Sequence, residues 1–355
     1  MVRIRVIVVD DSAFMRKVVS DILESDNRIE VIATARNGED GLKKIESLSP
    51  DVVTMDVHMP VMDGITALEK LMIGNPIPVV MLTSVSEQDT SKTIEAMSKG
   101  AVDFIKKPSG PISLNIDSIK DEIIAKVISA SEVRLNKSER AVESRLTVAV
   151  DHKPAEQIYD ETIVSIGSST GGPRALHQVM SDLPGDFRPP ILIVQHMPAG
   201  FTKSLANRLN GCTEIHVKEA TDGERIKDNT AYVAPGSYHM EAVHIGGVMK
   251  IKLTTEKPRN NHRPSVDVLF ESVANLNKIN KVAVILTGMG NDGSAGIIQL
   301  KNRDKNSIII AESEATSVVY GMPKAAVKTN CVNYIEDLGQ VGARISNAVK
   351  VFERN

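Results

Sequence analysis

Short apolar runs alternate with longer amphipathic stretches along most of the chain. Residues 6–9, 29–33, 52–55, 79–82 and 103–106 read as strands, with helical spacing over 13–24, 38–48, 64–73 and 89–98 between them. Such alternation predicts a doubly wound parallel sheet, which binds ligands at the carboxyl ends of its strands. A last amphipathic helix over 119–133 closes this first unit, and residues 134–158, rich in charge and poor in apolar runs, read as a linker. The alternation resumes at Glu161: an apolar run enters Gly167, a helix covers 174–183, strands cover 191–194 and 281–286, and 239–253 reads as a β-hairpin turning at Gly246-Gly247. The fold class expected is α/β, with two doubly wound parallel-sheet domains at 1–133 and 159–355.

Polar residues gather where the first set of strands ends. Asp10 and Asp11 follow the first strand, Asp56 the third and Thr83 the fourth, while Lys107 follows the fifth and precedes Pro108. Three converging carboxylates repel one another, so either one keeps a proton or a hard cation joins them. Mg²⁺ suits an all-oxygen cup with room for phosphate oxygens, to which Lys107 offers a fixed positive charge and Thr83 a hydroxyl.

The second unit holds a glycine-flanked turn. Residues 167–171 spell G-x-S-x-G, which sets Ser169 at the apex of a strand-to-helix turn. His196 ends the strand at 191–194, and Asp292 lies shortly beyond the strand at 281–286. A serine hydroxyl becomes a nucleophile when a neutral imidazole takes its proton, and a carboxylate fixes that imidazole's tautomer. Ser169, His196 and Asp292 fill those roles, with the Thr170 amide as an oxyanion donor. The order Ser, His, Asp differs from that of α/β-hydrolases. The turn lacks the G-x-G-x-x-G spacing of a dinucleotide site and the Lys of a P-loop, although a bare phosphate-cradling turn fits the same residues. Taken alone, His196 could be a core histidine and Asp292 an N-cap for the helix after it. The remaining histidines, His262 among them, read as structural or solvated, and residues 257–263 as a basic loop.

Composition narrows the field. At 355 residues, the chain exceeds the roughly 250–300 that one core supports. A net charge of -3, from 42 basic and 45 acidic residues, lacks the footprint of a nucleic-acid binder. Cys212 and Cys331 are the only cysteines, which argues against a disulfide framework and a thiolate zinc site and fits a reducing cytoplasm. The N-terminal apolar run is too short, and too acidic at its end, for a signal peptide, and no stretch approaches a membrane span.

Val-Val-Asp10-Asp11-Ser, Met-Asp56-Val-His58-Met-Pro, Leu-Thr83-Ser and Lys107-Pro108 resemble the receiver domain of two-component response regulators. The resemblance implies that Asp56 accepts a phosphoryl group and that Asp11, Asp56 and the His58 backbone carbonyl hold Mg²⁺. It further implies that Asp10 supports the metal's water shell and that Phe104 occupies an aromatic switch position. Ile-Gly-Ser-Ser169-Thr-Gly-Gly, Gln-His196-Met-Pro-Ala-Gly-Phe, Tyr-Val-Ala-Pro-Gly, Arg263-Pro-Ser-Val-Asp-Val-Leu-Phe and Leu-Thr-Gly-Met289-Gly-Asn-Asp292-Gly resemble the chemotaxis response regulator protein-glutamate methylesterases. Membership implies a flavodoxin-like receiver and a Rossmann-like hydrolytic domain that needs no cofactor. The implied activity is hydrolysis of glutamate methyl esters on chemoreceptors, with deamidation of receptor glutamines. A chemotaxis histidine kinase is the implied phosphodonor, and the Met289 amide joins that of Thr170 near the oxyanion. Ser168, often alanine in the family, adds a hydroxyl beside the nucleophile. The fusion predicts that the unphosphorylated receiver restrains the hydrolase. Two alternatives, a non-catalytic binding output domain and a nucleotide-dependent transferase, lack a use for the triad and a cofactor fingerprint respectively.

Overall fold

The structure, a computed structural model, describes residues 3–84, 86–107, 116–133 and 161–353. The expected linker at 134–158 and Pro108 lie outside the described residues. The chain divides into two compact units, Met1–Arg140 and Ala141–Asn355.

The first unit runs β1 (Ile4–Val9), α1 (Ala13–Glu24), β2 (Ile29–Ala35), α2 (Gly38–Leu48), β3 (Val52–Asp56), α3 (Gly64–Gly74), β4 (Val79–Thr83), α4 (Glu87–Ser98), β5 (Asp103–Lys106) and α5 (Ile116–Ser131). Its strands form one parallel sheet ordered β2-β1-β3-β4-β5. Helices cover both faces of such a sheet, which is why β3 and β4 are buried along their whole length and read as unbroken apolar runs. Short polar side chains start the helices: Asn37 Oδ1 accepts the Asp40 amide at 2.9 Å and Asp63 Oδ1 that of Thr66 at 2.7 Å. The strand order reverses beside β1, so the ends of β1 and β3 open onto one crevice.

The second unit runs β6 (Thr162–Ser168), α6 (Gly172–Asp182), β7 (Ile191–Gln195), α7 (Phe201–Asn210), β8 (His216–Glu219), β9 (Thr230–Val233), β10 (His239–Ile245), β11 (Val248–Thr254), α8 (Val266–Ala274), β12 (Asn280–Ile285), α9 (Ser294–Arg303), β13 (Ile308–Glu312), α10 (Met322–Lys328), β14 (Tyr334–Glu336) and α11 (Leu338–Glu353). Seven parallel strands are ordered β14-β13-β12-β6-β7-β9-β8, with β10 and β11 as a separate antiparallel hairpin. Here the order reverses at β6, which lies between β12 and β7. Gly167 pairs with Ile285 on one side and Val194 on the other, so the ends of the three strands come level.

Candidate functional site

Ser169 follows β6 directly, and its amide donates to the Thr287 carbonyl at 3.0 Å. The turn behind it depends on two glycines. Gly171 has φ of 77°, in the left-handed region, and a Cβ on Gly172 would stand 1.9 Å from Gln195 Oε1. Neither α6 nor α9 has a side-chain cap at its start, in contrast to the capped helices of the first unit. Ser168 is fully buried and donates to Gln195 Oε1 at 2.7 Å; Gln195 in turn donates to the Ser169 carbonyl at 2.9 Å. Of the two adjacent hydroxyls, Ser168 is therefore committed to the scaffold, while Ser169 is half-buried and open to a ligand. Thr170 is buried, and the Thr287 hydroxyl donates to its carbonyl at 3.0 Å.

His196 stands at the end of β7, with its amide donating to the Ser168 carbonyl at 3.1 Å. Its Nε2 lies 2.8 Å from Asp292 Oδ2. Because a carboxylate accepts, Nε2 carries the hydrogen, and the lone pair sits on Nδ1, which is buried with no hydrogen-bond partner. Of the two ring nitrogens, Nδ1 is thus the one able to accept a proton. Among the described residues, no hydrogen bond joins the Ser169 hydroxyl to His196.

Asp292 is almost completely buried, and its oxygens are crowded with donors. Oδ1 accepts from the Ser265 hydroxyl at 2.9 Å, the Asp267 amide at 3.1 Å and Asn260 Nδ2 at 3.3 Å; Oδ2 accepts from the Val266 amide at 2.7 Å and from His196. Burial by itself raises a carboxyl, but the bonds from His196, Val266 and Asp267 outweigh it and hold Asp292 well below the usual carboxylate range. It therefore stays charged beside the His196 ring. The expectation that Asp292 could cap the helix after it is corrected. That helix starts from Gly293 at φ of 94°, and the carboxylate instead serves the first amides of α8.

In the first unit, Asp10 and Asp56 are buried, Asp11 is exposed, and oxygens of all three lie within 4.8 Å of one another. Lys107 Nζ sits 2.7 Å from Asp10 Oδ2 and 2.8 Å from Asp56 Oδ2. Burial pushes Asp56 up, against the pull of Lys107; burial would lower Lys107, but the two carboxylates prevail and raise it. Thr83 Oγ1 accepts from the Thr93 hydroxyl at 2.8 Å and donates to the Ser84 carbonyl at 3.1 Å. His58 Nε2 lies 2.6 Å from Asp89 Oδ1 at the start of α4. Phe104 is buried, with the Lys126 amine 5.0 Å from its ring centroid and 2.6 Å from its carbonyl oxygen.

Residues 164–345 match the family described as CheB methylesterase, and residues 6–116 match the response regulator receiver domain. The chain belongs to the CheB methylesterase family. Relatives named protein-glutamate methylesterase/protein-glutamine glutaminase include one from Oceanobacillus iheyensis, 53% identical over 97% of this chain and 99% of its own length. Another, from Bacillus subtilis, is 46% identical over 98% of this chain and 99% of its own. The crystal structure of the Thermotoga maritima CheB methylesterase catalytic domain is 40% identical, with a TM-score of 0.50, covering 55% of this chain and all of that one.

Within this CheB methylesterase family chain, the structure brings His196 and Asp292 into contact, sets Ser169 and Thr170 on the adjacent turn, and places Met289 beyond β12, half-buried. Sequence reasoning missed the part played by residues 259–262. His262, expected to be structural or solvated, stacks on His196 with ring centroids 3.7 Å apart, and Asn260 bonds Asp292. The Asn260-Asn261 pair was the available signal, since two residues favouring left-handed φ mark a tight hairpin turn. Gln195 and Ser265 were missed as well. Among the described residues, no helix is long and apolar enough to cross a membrane.

Proposed function

We propose that Ser169, His196 and Asp292 hydrolyse glutamate γ-methyl esters of chemoreceptors. The observation that carries this reading is the charged, buried Asp292 holding His196 Nε2, which leaves Nδ1 as the base at the strand edge that bears Ser169. His196 Nδ1 takes the Ser169 proton as Oγ attacks the ester carbonyl, and the Thr170 and Met289 amides receive the oxyanion. Nδ1 then returns the proton to the departing methanol. Water, activated by the same nitrogen, cleaves the glutamyl-enzyme. Replacing methanol by ammonia as the leaving group makes the same cycle a glutaminase, the second activity in the relatives' name. No cofactor is needed for these steps.

Asp56 is the phosphoacceptor in this reading, within a receiver at 1–133 that is joined by 134–158 to a catalytic domain at 159–355. The donor set of Asp10, Asp11 and Asp56 fits a hard divalent cation, which when bound neutralises phosphoryl oxygens. Asp11, Asp56 and the His58 carbonyl would hold Mg²⁺, with Asp10 beside them, and the ion would supply positive charge to the phosphoryl oxygens. Lys107 and Thr83 meet the phosphoryl oxygens, and Phe104 reports occupancy through β5. A chemotaxis histidine kinase supplies the phosphoryl group in the cytoplasm, and phosphorylation relieves restraint on the esterase. The test is methanol release from methylated receptors, with and without a small phosphodonor. Ser169→Ala should lose at least about 10³-fold in kcat, and deletion of residues 1–150 should raise the basal rate. Wild-type turnover by Ser169→Ala would refute the triad; an unchanged basal rate after the deletion would refute the restraint.

A further inference from the structure

The turn that carries His262 is built to hold one orientation. Asn260 and Asn261 have φ of 52° and 64°, and Arg259 and His262 exchange backbone hydrogen bonds of 3.1 and 2.9 Å. Two left-handed residues closed in this way form a type I′ turn, which sets the direction of the flanking residues. Arg259 forks onto Glu271 of α8 at 2.7 and 2.6 Å. Asn260 Nδ2 reaches Asp267 Oδ2 at 3.1 Å and Asp292 Oδ1 at 3.3 Å. Fastened on two sides, the turn ends in an imidazole lying 9° from parallel with that of His196.

His196 needs such a neighbour. Its contact with Asp292 fixes one corner of the ring, and a single hydrogen bond does not fix a plane. The Nδ1 lone pair lies in the ring plane, so a tilt about the Nε2 corner redirects that lone pair while leaving the aspartate bond intact. A flat partner at 3.7 Å removes that freedom and covers one face of the ring. We infer that His262 is a positioning residue for the esterase reaction, stacking on His196 to fix the plane of the ring that carries Nδ1. The inference rests on the triad reading above. The role assigned here is that of the flat face of His262, which another planar ring can supply.

The experiment compares methanol release by full-length wild type, His262→Ala and His262→Phe. His262→Ala should lose roughly 10- to 100-fold in kcat, the cost of a small misplacement of a catalytic group. KM should stay within about two-fold, because the lost interaction does not bind substrate. His262→Phe should return kcat to within about three-fold of wild type, since the stack is kept. If His262→Ala does not fold, His262→Leu, which fills space without a flat face, must show the same loss. A wild-type kcat without the ring, a defect confined to KM, or a Phe variant as slow as the Ala variant overturns the inference. Ser169→Ala, run alongside, separates the two readings. Full activity there refutes the triad, whereas an inactive Ser169→Ala beside an unimpaired His262→Ala refutes the stacking role alone.

Discussion

Glu312, at the end of β13, is fully buried and accepts the Thr287 amide at 2.8 Å and the Thr316 hydroxyl at 3.1 Å. Burial pushes its carboxyl from the ordinary 4.5 up to about 7, against the pull of those two donors and of Arg174, with Asp337 adding to the rise. The folded state therefore holds a proton that the unfolded chain releases near pH 4.5. Stability from this group is fully present below that pH and is lost as pH rises through about 7. A shift from 4.5 to about 7, at about 1.4 kcal/mol per unit, amounts to roughly 3 kcal/mol. Glu312→Gln removes the titration. Its amide also sets a donor against one of the two donors now satisfied, a cost of about 1–3 kcal/mol that does not vary with pH. The difference in unfolding free energy between wild type and variant should thus change by about 3 kcal/mol between pH 4.5 and 8, wild type being relatively better at the acid end. Urea unfolding read by tyrosine fluorescence isolates the catalytic unit, because all five tyrosines lie beyond residue 140 and the chain has no tryptophan. Groups that titrate alike in both proteins cancel in the difference. Parallel stability curves for the two proteins across this range would refute the reasoning.

Four further outcomes follow from particular contacts. Ser168→Ala strands Gln195 Oε1 and should cost about 1–3 kcal/mol of stability, yet methanol release should remain; a variant as inactive as Ser169→Ala would exchange the roles of the two serines. Gly172→Ala sets a Cβ 1.9 Å from Gln195 Oε1, and a lowered melting temperature with loss of activity is expected, whereas wild-type melting would show that the turn yields. Asp292→Asn turns one of two oxygens that each accept donors into an NH2 group, so in either orientation amide hydrogens face donors; a kcat loss of about 10⁴-fold should come with a measurable drop in the urea midpoint. Removing the Lys107 amine leaves Asp10 and Asp56 facing each other; Lys107→Ala should cost about 3 kcal/mol in the first unit, and Mg²⁺ should stabilise this variant more than wild type in thermal unfolding. Equal stabilisation by Mg²⁺ would contradict that electrostatic account.

What the sequence disclosed followed from burial. Strands buried on both faces, such as Val79–Thr83, must be continuously apolar, so their ends are visible, and Asp10, Asp56, Ser169 and His196 stand at such ends. Shorter strands were not seen: His216–Glu219 mixes an exposed histidine with half-buried charges, and Tyr334–Glu336 has three residues. The contacts of Asp292 and His262 were hidden for another reason. A local reading gives Asp292 to the helix that follows it, and nothing in Arg-Asn-Asn-His says which distant ring will lie beneath it. Long-range pairing decided both, and local propensity could not.

In the proposed triad, the crowding around Asp292 makes the catalytic arrangement depend on contacts between distant stretches of the chain. Its donors come from the end of β7, the turn before α8 and the start of α8 itself, and the carboxylate lies further along the chain than all of them. A nascent chain, a fragment ending before β12 or a catalytic unit with α8 detached contains Ser169 and His196 but no fixed imidazole. On the proposed triad reading, protein lacking Asp292 or these contacts keeps the serine without a held imidazole, and it should release no methanol.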